Sequence, residues 1–383
     1  MMSKKERIIE IELLRGLAFL AVALQHAIAH YSIVDGIRLE DGVLMTLILM
    51  LSKFAVPVFI FITGMVLFYN YRERFNYISF LKKRATDILV PYILWSFVYF
   101  SISYGWQQGL IPQSIKWFQM LFTGKNSYHL WYVVMIFQFY LLFPVFRYVI
   151  YKVKSHCTVK IHTFIIICGG ILFIWITANI FTIGGILSAY PIPMITAWFT
   201  QYADRNFLYF SLYFVLGAYA GLYPDLWKKW IHKGSMLYGS VFIILFGYYV
   251  YIVVQSFQTT PDGMKMGFNS ASLLRPMMVI FLLSSIFVFY NLASRMKAHQ
   301  GSRWNNVLLS IGKYSYGAYL VHALMLKYSY YFDIGLFIHW PVIIRMIISF
   351  VICVLFSYVL VLLLSRLPFG KWTVGISNSS KKT

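Results

Sequence analysis

Ten stretches of mostly apolar residues recur along the chain, at 11–31, 43–70, 86–105, 129–151, 163–183, 206–223, 236–255, 273–293, 314–332 and 341–364. An α-helix needs about 20 residues to cross about 30 Å of hydrocarbon, and inside a bilayer it satisfies its own backbone hydrogen bonds. The chain is 60% hydrophobic and 12% charged over 383 residues, with a mean hydropathy of +0.70. A soluble domain carries about 45–50% apolar and about 25% charged residues. These features predict an all-α polytopic membrane bundle of about ten transmembrane helices, built as a single membrane-embedded domain over residues 1–383. No soluble domain, internal repeat or low-complexity segment interrupts it. The longest connections on the sparsely charged side, about 106–128 and 184–205, are short and aromatic enough to dip back into the membrane.

A net charge of +21 raises the question of nucleic acid, but the cations do not gather on a soluble face. They sit in short connections between apolar runs, where they orient helices. One set of connections and both tails hold 22 Lys and Arg, among them Arg72, Arg74, Lys82, Lys83, Arg84, Lys381 and Lys382; the alternate set holds five, Arg38, Lys116, Lys125, Arg205 and Lys265. The richer side is expected in the cytoplasm, so both termini are inside and the sequon at Asn378 is unused. The opening "MMSKKER" has the outline of a signal peptide. Arg15, Gln25 and His26 interrupt the segment that follows, which is expected to stay as the first span. Cys157, Cys168 and Cys353 are scattered with no CxxC and no His-rich partner, so neither a disulfide framework nor a metal site is expected.

The first span, "LLRGLAFLAVALQHA" at 13–27, carries a guanidinium and an imidazole. At 100° per residue, Arg15 and His26 fall within about 20° of each other and about 16 Å apart along the axis. Arg15 lies near the cytoplasmic end, His26 about half-way through the bilayer, and His30 one turn further on. Glu12 precedes Arg15 by three residues and can pair with it. Two readings stand: Arg15 snorkels and His26 is a hydrogen-bonded core residue, or both line a pathway, as ionisable groups inside membranes commonly do. In the second reading Arg15 offers a fork to phosphates and His26 takes a proton from a hydroxyl near neutral pH. The two cannot touch, so their tasks are separate.

"IELLRGLAFLAVALQH" resembles the Arg-x10-His signature that opens the acyltransferase-3 family of multipass acyltransferases. The likeness extends over nearly the whole chain. "KFAVPVFIFITG" (53–64) is similar to the family's second-helix Pro-Val-Phe-Phe-x-x-Ser/Thr-Gly stretch, and "FLKKRATDILVPYILWS" (80–96) to its basic third-helix segment. "YHLWYVVMIFQFYLLFP" (128–144) resembles the His-Leu-Trp-Tyr signature, and "GKYSYGAYLVHALML" (312–326) the late Ser-x-Gly-x-Tyr-x-x-His stretch. The resemblance implies transfer of an acetyl or other acyl group from cytoplasmic acetyl-CoA, as co-substrate, to a hydroxyl of a surface polysaccharide or lipid-linked sugar. It implies a multi-pass protein of a bacterial plasma membrane, acting with lipid, a saccharide acceptor and other polysaccharide-synthesis proteins, and with no nucleic acid. His26 and Arg15 become the catalytic residues, and Arg15, Lys83 and Arg84 the donor-phosphate site. Glu12, His129, Trp131, Tyr316 and His322 become substrate contacts. Asp87 stands where relatives often have a second Arg, and Glu12 where an Asp is usual. The sequence runs only a short way past the tenth span, so transfer to the acceptor is expected within the membrane part or on another protein.

Each further candidate has a plainer reading beside it. His129 and Trp131 suit acceptor binding or an interfacial aromatic belt. His322 is a site residue or a packing histidine bonded to Tyr316 or Ser315. Arg275, Lys53, Lys327 and Arg345 lie near span ends, where snorkelling is expected. Pro57, Pro91, Pro144, Pro276 and Pro341 mark kinks or span starts. Direct transfer and a transient acyl-His26 both remain open. The rival from another class is a transporter exporting a polysaccharide or its lipid-linked precursor, for which an internal repeat would be expected; an inactive partner in a polysaccharide synthase is a third reading.

Overall fold

The computed structural model describes residues 8–376 apart from 73, 74, 108, 262 and 300. Lys4, Lys5, Arg7, Arg74, Lys381, Lys382 and the sequon at Asn378 lie outside the described residues. In chain order the helices are α1 (Ile9–Tyr31), α2 (Leu39–Ser52), α3 (Ala55–Asn70), α4 (Tyr77–Arg84), α5 (Val90–Tyr104), α6 (Leu110–Thr123), α7 (Trp131–Leu141), α8 (Phe143–His156) and α9 (Val159–Ala178). There follow α10 (Ile180–Ala189), α11 (Ile195–Phe199), α12 (Ser211–Leu222), α13 (Pro224–Lys233), α14 (Ser235–Val254), α15 (Pro276–Ala298), α16 (Arg303–Leu336), α17 (Val342–Arg366) and α18 (Gly370–Val374). Among the described residues, the sheet is one antiparallel hairpin, β1 (Gln258–Thr260) with β2 (Gly263–Lys265).

The chain is a helical, multi-pass membrane protein. Seven described segments are long and apolar enough to cross a bilayer, and nine if each of two bent pairs counts once. The bends have local causes. Leu141 and Phe143 flank a 53° turn with Pro144 just beyond it, and Pro224 opens the helix after a 110° turn. Proline lacks the N–H that would continue the ladder. The remaining expected span, 314–332, lies in α16, which has 34 residues but is too rich in Tyr, Ser and Lys to meet the same apolarity. Pro276 and Pro341 stand at helix starts, and Pro91 follows a π turn at Ala85–Leu89 in which Val90 N–H reaches back to the Ala85 carbonyl.

The chain forms two compact units: 1–59, 228–273 and 280–383 make the first; 60–227 and 274–279 make the second. The core of the first is α1 packed on α16 and α17, with α2 against α1 and α14. Gly16 and Gly312 allow this. A Cβ at Gly312 would lie 2.0 Å from the Glu12 carbonyl oxygen, and one at Gly16 would lie 2.5 Å from that of Leu308. Small residues at membrane helix crossings permit such approach where no hydrophobic drive between helices exists. In the second unit α3 crosses α12 the same way. Cβ atoms at Gly64, Gly217 and Gly221 would sit 2.2, 2.0 and 2.4 Å from the carbonyls of Phe214, Phe61 and Met65. In the second seam residue numbers rise together along the paired helices, from Phe61 with Gly217 to Met65 with Gly221, and in the first they rise together from the Gly16–Gly312 crossing to His26 and His322.

Of the two connections expected to dip back, 106–128 contains α6, whose Leu110, Ile111, Ile115, Phe118 and Phe122 form an exposed apolar stripe. Lys116 lies with its Nζ 3.9 Å from the Tyr104 ring centre. Such a helix suits the membrane–water boundary.

Candidate active site

α1 begins at Ile9, and its first turn holds Glu10 and Glu12, whose charge suits the positive end of the helix dipole. Arg15 Nη1 donates to Glu12 Oε1 at 3.2 Å, with 34% of the Arg15 side chain exposed. Lys297 Nζ donates to Glu10 Oε1 at 3.0 Å. The sequence foresaw the first pair; the second joins α1 to α15 and was not legible.

Three turns further along α1, the His26 imidazole stacks on that of His322, ring centres 5.3 Å apart and planes 29° apart. His26 is partly buried and His322 fully buried. The Gly16–Gly312 crossing brings α16 close enough for the two rings to meet. Tyr319 and the edge of Phe19 complete the wall around His322, at 5.5 and 6.5 Å between ring centres. His322 Nδ1–H donates to the Tyr319 carbonyl at 2.5 Å, and Cys353 Sγ donates to the His322 carbonyl at 3.4 Å. The first bond leaves Nε2 as the acceptor nitrogen, a tautomer inferred from the bonding pattern. The accepting carbonyl lies one turn back on the same helix, next to the Ser315–Tyr316 stretch suggested by the sequence. Tyr316 is partly buried in α16.

Beyond His26, His30 stacks on Tyr330 at 3.5 Å, and Tyr31 shares a 2.7 Å hydrogen bond with Ser349. Arg345 meets Asp333 through two bonds of 2.9 and 2.7 Å, with side chains only 8% and 4% exposed. Here the reading of Arg345 as a snorkelling cation is corrected. A carboxylate on the neighbouring helix holds the guanidinium inside, and its charge lies over the Tyr31 ring at 5.7 Å. Opposite charges at the adjoining ends of two consecutive spans were the available signal. α1 thus runs beside a column of ion pair, imidazole pair and second ion pair.

The other sequence-derived candidates belong to the second unit. The Arg84 guanidinium lies 5.4 and 5.3 Å from the Phe80 and Tyr140 ring centres, a cation–π arrangement. It closes α4 just before the π turn, a feature frequent at functional sites. Lys82 and Lys83 are exposed beside it. His129 is buried, shares a 3.1 Å hydrogen bond with Ser127 Oγ, and meets the Tyr99 ring edge-on at 5.1 Å. Trp131 opens α7, and its ring lies 6.1 Å from that of Phe210. The turn before it requires glycine: Gly124 has φ +67°, and a Cβ there would lie 2.7 Å from the Trp131 Cα. Among the described residues no cluster of His, Cys, Asp and Glu could hold a metal ion.

An Arg and a His on one stripe of the first span, with the His stacked on a late-helix His, match the signatures noted in the sequence. The acyltransferase domain family, acyltransferase-3, matches residues 8–362. The chain belongs to this family. A comparison with curated proteins and one with solved structures give no significant match. The acyltransferase therefore holds Glu12, Arg15, His26, Tyr316 and His322 in one unit and Lys83, Arg84, His129 and Trp131 in the other.

Proposed function

We propose that the acyltransferase moves an acetyl group from acetyl-CoA to a sugar hydroxyl of a surface polysaccharide or its lipid-linked precursor, in a bacterial plasma membrane. The observation that carries the reading is the stack of His26 on His322, on the α1 stripe that begins at Arg15. Arg15 lies on the lysine-rich side with a third of its side chain exposed, which suits a fork for donor phosphates. Lys83 and Arg84 are donor-phosphate candidates of the second unit on the family resemblance. His26 accepts the proton of the sugar hydroxyl while that oxygen bonds to the thioester carbonyl carbon. The carbon–sulfur bond breaks, and the imidazolium returns its proton to the departing thiolate. His322, held by Tyr319 and Phe19, fixes the plane of the His26 ring. Tyr316 is the acceptor candidate of the first unit; His129 and Trp131 are those of the second, with Trp131 offering a face on which a sugar can stack.

The test uses purified, folded variants, measuring acetyl transfer, free thiol release and donor affinity together. His26→Gln should bind acetyl-CoA and lose about 10²–10⁴-fold in turnover, the usual contribution of a general base. Arg15→Ala should raise the donor KM, and Arg15→Lys should restore it only in part because Lys lacks the planar fork. Full turnover in His26→Gln would refute the proposal.

A further inference from the structure

We propose that the second unit holds a tail of an anionic phospholipid in a groove between α8, α9 and α12, with the phosphate at its lysine-rich end. The groove has a volume of about 460 Å³ and is lined chiefly by apolar side chains, among them Val145, Phe146, Ile150, Ile166, Phe173 and Leu212. Val145 is 60% exposed and Ile165 41%, so the groove opens sideways from spanning segments, where the surrounding medium is hydrocarbon. From His162 to Phe173 it follows α9 for about 16 Å at 1.5 Å per residue. Gly169 lines it at the open side, where a Cβ would meet nothing within 4 Å.

One end is chemically different. His162, buried and lining the groove, bonds Tyr223 through Nδ1 at 3.2 Å, and Thr163 bonds Tyr219 at 2.6 Å. Lys154 reaches the same place, its Nζ 5.5 Å from the Tyr223 ring centre and 5.8 Å from that of Tyr151. Lys152, His156 and Lys160 stand exposed around it. A hydrocarbon slot that ends in a cationic, hydrogen-bonding cluster fits an amphiphile with an apolar tail and a negative head. Basic pockets between spans on the inner side of a membrane bind acidic headgroups in this manner, and the charge count puts this loop inside. The groove contains none of the residues proposed for acyl transfer, so the two readings stand or fall separately.

The experiment counts lipid retained on the full-length protein by native mass spectrometry after exchange into neutral detergent. Separate samples receive phosphatidylglycerol, phosphatidylcholine or a polyprenyl phosphate. Phosphatidylglycerol should be retained at least tenfold better than the other two. Gly169→Phe should fill the slot and abolish retention with an unchanged melting temperature. Lys154→Glu, at an exposed position, should remove the preference for the acidic headgroup with the melting temperature unchanged, while Lys228→Glu, an exposed lysine of the first unit, should leave that preference in place. Equal retention of phosphatidylglycerol and phosphatidylcholine, meaning annular lipid only, would overturn the proposal. So would preference for the polyprenyl phosphate, or full retention in Gly169→Phe with the preference intact in Lys154→Glu.

Discussion

Replacing Gly312 by Ala adds one carbon where no room exists. The new Cβ would lie 2.0 Å from the Glu12 carbonyl oxygen and 3.2 Å from the Gly16 nitrogen. Ordinary contact begins near 3.4 Å, so α1 and α16 must part by about 1.4 Å (3.4 less 2.0) or one must bend. Overpacking of this kind costs about 1–3 kcal/mol. Alanine's better helix propensity returns about 0.5–1 kcal/mol, which leaves a modest net loss of stability. The functional loss should be larger. α16 carries His322 about three turns beyond Gly312, and a misplacement of about 1 Å in an active site can cost about 10²-fold in rate. Gly247→Ala is the control, because a Cβ there meets nothing within 4 Å. Thermal unfolding in detergent and acetyl transfer should show Gly312→Ala slightly less stable and about tenfold to a hundredfold slower, with Gly247→Ala unchanged in turnover and no less stable than the wild type. Wild-type melting and turnover in Gly312→Ala would mean that the seam is looser than described and that it does not set the imidazole stack.

Arg345→Met alone should cost about 3–5 kcal/mol by stranding the buried Asp333 carboxylate. Arg345→Met with Asp333→Leu should recover most of that, as thermal unfolding will show. For orientation, a background with Cys157→Ser and Cys168→Ser should leave Ser155→Cys protected from an impermeant thiol reagent in intact cells, while Asp35→Cys reacts; the reverse pattern would invert the protein. Arg84→Ala should weaken acetyl-CoA binding and make what remains more salt-sensitive, without altering acceptor affinity, as donor titrations at two ionic strengths will measure.

The helices themselves were legible because hydropathy over twenty residues is a local property. So was the α1 stripe, since 100° per residue relates Arg15 to His26 without reference to any other helix. The partner of His26 was not. His322 lies nearly 300 residues away, and what brings it in is a pair of glycines whose purpose appears only when two backbones meet. Arg345 misled for the same reason: its distance from the span end is a sequence property, whereas Asp333 facing it is a packing one. The bends at Leu142 and Tyr223 were half visible. Pro144 announced one; Pro224 stood at a span end, where a proline is unremarked. His129 and Trp131 keep both of their readings, because burial and ring contacts serve packing and sugar binding alike.

The α3–α12 seam has a consequence for which parts of the second unit can vary. Three glycines press backbone to backbone there, and Arg72 Nη2 donates to the Gly221 carbonyl at 2.7 Å, so register is set by main-chain geometry and one cation. The buried rings of Phe68 and Phe214 meet edge to face across the same seam at 6.3 Å. Away from the groove, the outward faces of α8 and α9 take no part in this seam, so they can exchange one apolar residue for another as the surrounding lipid changes thickness or chain type. Gly64, Gly217 and Gly221 have no such latitude, since every alternative begins with a Cβ. A saturation scan of this unit would show a few intolerant columns one or two helical turns apart, set among long runs where chemistry matters and identity does not.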